Sequence, residues 1–171
     1  MAIRKGFSLL EFILYFALLS IIVTVVTSFT VDIIKTRAKA EVIAEVEQNT
    51  RFLLLRIVRS TRRATGINNG GSTFNNDNGV LSLNQDGAAL SPTVFDLSGG
   101  AVRIKEGAAS ATPLTAPDVT VTKLRFSKDS LGSGGKSITA EITVRYDGGA
   151  SPEKGFNYTI SATATAVVRK D

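Results

Sequence analysis

The sequence predicts an α+β fold: a long N-terminal α-helix, its first half transmembrane, whose second half packs against a C-terminal antiparallel β-sheet head. Three observations predict it. Phe12 to Val31 is twenty residues without a charge, about 30 Å as a helix and so long enough to cross a bilayer core. Between Val42 and Ala64 apolar residues recur at spacings of three, four and seven, the signature of a helix with one buried face. From Ile138 onward apolar and polar residues alternate, the signature of strands with one face on a core.

The first element is the apolar run. It is too long for a secretory signal peptide and no small-x-small cleavage site ends it. Arg4 and Lys5 precede it, and Lys35, Arg37 and Lys39 follow it, so positive charge alone does not orient it. Ile21-Ile22-Val23-Thr24-Val25-Val26-Thr27 is almost wholly β-branched and a poor intrinsic helix former. In lipid it must still be helical, because no water is present to satisfy the backbone.

The second element is amphipathic. Ile43, Val46, Thr50, Leu53, Ile57 and Ala64 form its apolar stripe, widened by Val42, Leu54 and Val58. Glu47 and Arg51 stand at i,i+4 in the favourable order for an ion pair. Arg56, Arg59, Arg62 and Arg63 crowd the last turns, where cations suit the negative end of the helix dipole. Gly66 is expected to cap the helix in the left-handed conformation, and Asn68-Asn69-Gly70-Gly71 to open a loop. One helix from Phe7 to about Thr65 would be roughly 90 Å long.

Strands follow. Val80–Leu83 is short and ends at the Asp86-Gly87 turn; Val94–Leu97 and Ala101–Ile104 flank Ser98-Gly99-Gly100 as a hairpin. In Val119–Phe126 the apolar parity slips from odd (Val119, Val121) to even (Leu124, Phe126), which predicts a bulge near Lys123. Ile138–Tyr146 and Phe156–Val168 alternate most clearly. Alanines at 162, 164 and 166 leave room for a close neighbour, and helix Ile43–Ile57 is assigned to that space.

Composition narrows the function. The chain has 171 residues, no cysteine and no histidine, so it lacks disulfides, thiolate ligands and the commonest general base. Its net charge of +5 is not a basic head: from Ile67 onward ten Lys/Arg balance ten Asp/Glu. The excess lies in Arg4 and Lys5 and in Asp32–Thr65, with eight basic residues against four acidic. The arginines read as a solvated or subunit-facing helix side with intrahelical ion pairs, rather than as a DNA-capture surface. Asn75-Asn76-Asp77-Asn78-Gly79 and Asp147-Gly148-Gly149 are rich enough in oxygen to hold calcium, yet read more simply as Asx-rich turns. Gly132-Ser133-Gly134-Gly135-Lys136 lacks the strand–loop–helix setting of a phosphate loop. No catalytic residue, metal or cofactor is expected, and the chain is not read as an enzyme.

One residue remains out of place. Glu11 lies within an apolar stretch that runs from Phe7 to Val31, where a carboxylate costs roughly 2.5–3.5 kcal/mol on insertion scales. Lys5-Gly6-Phe7-Ser8-Leu9-Leu10-Glu11 resembles the cleavage motif of the type IV prepilin family, which includes pilins and type II secretion pseudopilins. Val46–Ala64, with its Gln48-Asn49-x-Arg51-Phe52 run, looks like the corresponding helix of minor pilins and of the larger minor pseudopilins, and Pro113–Ser127 looks like a run in minor-pilin heads.

The resemblance implies a pilin-like fold with four regions: a leader at 1–6, a transmembrane or filament-core half-helix at 7–31, an amphipathic half at 32–66, and an extracytoplasmic β-rich head at 67–171. It implies that prepilin peptidase cuts between Gly6 and Phe7 and N-methylates Phe7. Arg4 and Lys5 supply the leader charge. Glu11 would neutralise the Phe7 amine of a neighbouring subunit during assembly. The chain would cross the cytoplasmic membrane once, engage an inner-membrane assembly platform, and join other pilin or pseudopilin subunits in an extracellular or periplasmic filament. Many major pilins carry a helix-breaking proline where this chain has Ser28. Two rival expectations are a major pilin with an adhesive or DNA-binding role, and a non-polymerising, single-pass membrane-anchored binding domain.

Overall fold

The computed structural model describes residues 8–130, 135–146 and 157–169. The fold is α+β, with one long N-terminal helix and antiparallel sheets. Helix α1 spans Leu9–Arg63. The chain divides into two compact units, one ending at Ala40 and the other beginning at Glu41.

In the first unit every described residue from Ser8 to Arg37 is exposed, and the helix is long and apolar enough to cross a membrane. The β-branched run is helical as expected. Its hydroxyls have found partners in their own backbone. Ser20, Thr24, Thr27, Ser28 and Thr30 each donate to the carbonyl four residues earlier, at 2.8–3.0 Å, so no hydroxyl on these turns stands bare toward an apolar solvent.

The second unit is built on the rest of α1. Val42, Val46, Thr50, Leu53, Ile57 and Ala64 are buried, with Ser60 and Thr61 between the last two. The stripe is the one its periodicity predicts, except that Val42 takes the central place and Ile43 is half-buried. Thr50 and Thr61 remain tolerable inside because each hydroxyl donates to the carbonyl one turn back, at 2.7 and 2.9 Å.

Strands β1 (Gly66–Ile67), β2 (Leu81–Asn84), β3 (Thr93–Ser98), β4 (Ala101–Glu106) and β5 (Thr112–Pro113) form a five-stranded antiparallel sheet in chain order. Strands β6 (Val119–Ser130), β7 (Lys136–Tyr146) and β8 (Thr159–Val167) form a second, three-stranded one. The antiparallel head thus consists of two sheets. Phe95, Leu81 and Leu83 from the first sheet and Phe126, Leu124, Ile138 and Ile142 from the second join the helix stripe in one core.

The predicted turn and slip are both present. Ser98 pairs with Ala101 across Gly99 and Gly100, whose φ values of +60° and +78° give the two-residue turn that matches strand twist. The β6–β7 register shifts between Val121 and Lys123, so odd-numbered Val121 and even-numbered Leu124 both face inward. The Asn75–Gly79 segment binds β6 through backbone bonds: Asn75 N–H to Phe126 O, Gly79 N–H to Leu124 O, and Leu124 N–H to Asp77 O, each at 2.8 Å.

Gly66 is a correction. It lies in β1, paired with Asn84, and its φ is not positive. The helix ends instead on a tightened turn, with Ala64 N–H on Thr61 O at 3.2 Å, while Gln85 Nε2 reaches Ser60 O at 2.9 Å. A side chain from the β2–β3 connection thus satisfies a helix carbonyl that a glycine cap was expected to serve.

Candidate functional site

Glu11 lies in the first turn of α1. The carbonyl of Ser8 accepts from the backbone N–H of Glu11 at 3.0 Å and of Phe12 at 3.2 Å. These bonds start the helical ladder and fix where the Glu11 side chain leaves the helix. The phenol of Tyr15 donates to Glu11 Oε1 at 3.2 Å. Long side chains on a helix lean toward its N-terminus, which carries the Tyr15 ring over the residue one turn earlier. Nearby, Phe12 and Phe16 stack with centroids 6.4 Å apart.

The Tyr15 phenol is a partner that the sequence pattern did not single out. The resemblance places the partner of Glu11 in another chain, although a tyrosine at i+4 is a signal the spacing already carries. Gly6, Phe7, Arg4 and Lys5 lie outside the described residues.

The basic residues of the helix are arranged differently from the expectation. Glu47 and Arg51 do not form the predicted ion pair: among the described residues Arg51 has no carboxylate within salt-bridge distance, and the Glu47 carboxylate instead accepts from Tyr158 Oη at 3.5 Å. Arg56 pairs with Glu106 of β4 at 2.9 Å, not within the helix. Glu47 and Tyr158 are brought together by the fold, 111 residues apart in the chain, so i,i+4 spacing could not reveal the competitor. Asn49, in the Gln-Asn-x-Arg-Phe run, pins the segment before β6 through Ala116 N–H to its Oδ1 at 3.1 Å, while its Nδ2 donates to Glu45 O at 3.0 Å.

The alanines of β8 are only partly covered by the helix. Ala166 is buried, whereas Ala162 and Ala164 are half-buried. An open groove of about 590 Å³ lies between helix residues Thr50, Arg51, Leu54 and Leu55 and strand residues Ile160 and Ala162. On the outer helix face Phe52 and Leu55 stay exposed, at 52% and 57%.

The Asn75–Gly79 loop is an Asx turn, with Asn78 N–H donating to Asn76 Oδ1 at 2.9 Å. Its one carboxylate, Asp77, is paired with Arg125 at 2.7 Å. Asp147-Gly148-Gly149 lies outside the described residues. No group of three His, Cys, Asp or Glu suited to a metal ion occurs among the described residues.

Comparison with protein-family models, curated proteins and solved structures gives no significant match for this chain. Its function therefore rests on its own residues.

Proposed function

We propose that this chain is a structural subunit of a type IV prepilin-like filament, of the minor pilin or pseudopilin sort. The observation that carries the proposal is Glu11. A carboxylate stands on an exposed helical surface apolar enough for a membrane, four positions past Phe7 in a Gly6-Phe7 pair that follows two basic residues. Lipid gives such a group no solvation, and a filament core offers it the one thing lipid cannot, a cation held at fixed geometry. Cleavage between Gly6 and Phe7 creates that cation as the new amine of Phe7.

In this reading prepilin peptidase removes residues 1–6 and methylates Phe7. The subunit waits in the cytoplasmic membrane with its head outside. It is then drawn by an assembly platform into a helical bundle, where Glu11 meets the Phe7 amine of an adjacent subunit. The pair sets register, because a one-residue slip would leave both charges unmatched in an apolar surround. Residues of the head need no catalytic role.

The test has two parts. Intact-mass measurement of the membrane fraction is expected to show a chain that begins at N-methylated Phe7. Glu11→Ala and Glu11→Leu are expected to be cleaved normally yet to be missing from sheared filaments. A chain still beginning at Met1 would favour the membrane-anchored binding domain instead. Abundance in sheared filaments separates a minor from a major subunit.

A further inference from the structure

Tyr15 is an unusual polar residue for the helix it occupies. From Ser20 to Thr30 the five hydroxyl side chains turn back onto the carbonyl four residues earlier, and so spend their donors on their own backbone. The Tyr15 hydroxyl does not. It extends along the helix surface to Glu11 Oε1. A carboxylate has acceptor sites on both oxygens, and among the described residues Oε2 carries no hydrogen bond.

Granting the filament-subunit reading, on which this rests, we infer that Tyr15 is a positioning residue that holds the Glu11 carboxylate ready for the incoming amine. Two consequences of the geometry support it. Before assembly the phenol gives the carboxyl group a donor where water is scarce, which lowers the cost of keeping a polar group beside apolar side chains. During assembly it restricts the Glu11 side chain, so that less rotamer freedom is lost when the ion pair closes. The phenol occupies Oε1 and the amine takes Oε2, so the two donors add rather than compete. The ion pair at Oε2 is then oriented by the phenol's bond to Oε1 of the same carboxylate.

Tyr15→Phe keeps the ring and removes only the hydroxyl, so a packing role for the ring is untouched. Expressed as the full chain in its own assembly system, the variant is expected to be cleaved and to reach the membrane at the normal level. Its assembled fraction should fall roughly tenfold, the scale of one hydrogen bond to a charged group. In parallel, the infrared carboxyl band that Glu11→Gln abolishes should shift in membrane-inserted Tyr15→Phe. Wild-type assembly by Tyr15→Phe, or an unmoved band, overturns the positioning role while a non-assembling Glu11→Gln leaves the filament proposal standing. Normal assembly of Glu11→Gln overturns both.

Discussion

Glu11 meets its partner within one turn of helix, and the bond is a loose one: 3.2 Å is longer than the usual 2.7–2.8 Å of an O–H···O contact. Such a bond offsets part of the roughly 2.5–3.5 kcal/mol that an intramembrane carboxylate costs. The rest is left for an external cation to relieve, which is why Glu11 serves the proposed filament as an assembly device rather than a structural one. Elsewhere single residues are decided by space. Gly107 has φ +55°, and a Cβ there would stand 2.6 Å from the Ala89 carbonyl oxygen, whereas Gly87, at φ +91°, has nothing within 4 Å. Gly107→Ala should therefore lower unfolding stability by about 2–4 kcal/mol, and Gly87→Ala by only about 1–2 kcal/mol. Denaturant melts of the full chain in detergent check the ordering. Residue-level detail is the least legible part of the sequence. Glu47 and Arg51 satisfy every local rule for an ion pair, yet Glu47 faces Tyr158. Gly66 satisfies the composition rule for a cap, yet Gln85 does that work from a distant turn. In both cases a tertiary partner displaces the local one.

Whole elements are far more readable, because periodicity integrates over many residues. The helix stripe from Val42 to Ala64, the Gly99-Gly100 hairpin and the parity slip that marks the β6 bulge are all legible in the order of the residues alone. Two-residue strands are not: β1 and β5 are too short to show a period, and both exist through pairing with β2 and β4. The division into two sheets is equally hidden, since alternation tells a strand which face is inward and not which strand is its neighbour. The two faces of α1 make opposite predictions. Leu53 is fully buried and Leu55 is 57% exposed, so Leu53→Ala should cost about 2–5 kcal/mol and Leu55→Ala within about 0.5 kcal/mol. Equal losses in thermal melts would mean that the outer face is buried in the isolated chain. Along the span, Ser28 donates back to the Thr24 carbonyl, and the five back-bonded hydroxyls sit in an unbroken helix. If the proposed filament forms, the Ser20–Phe29 turns are expected to extend within it, and a map with regular i→i−4 bonding throughout would dispose of that idea.

For the molecule as a whole, stability should be graded by burial. Strands β6 and β7 pair over eleven aligned positions and supply much of the core, while both residues of β5 are exposed. Amide hydrogen exchange should be slowest in β6, β7 and the Val42–Thr61 face, and fast at β5; uniform protection would contradict this core. One tie in the second unit has a further bearing. The Asn75–Gly79 segment takes up backbone groups of β6 at Leu124 and Phe126, so one flank of the three-stranded sheet is already occupied by its own chain. A sheet margin left bare is a template for runaway strand addition between crowded copies. Heads stacked at the density of the proposed filament would be especially prone to it, and this chain has closed one such route with five residues of loop.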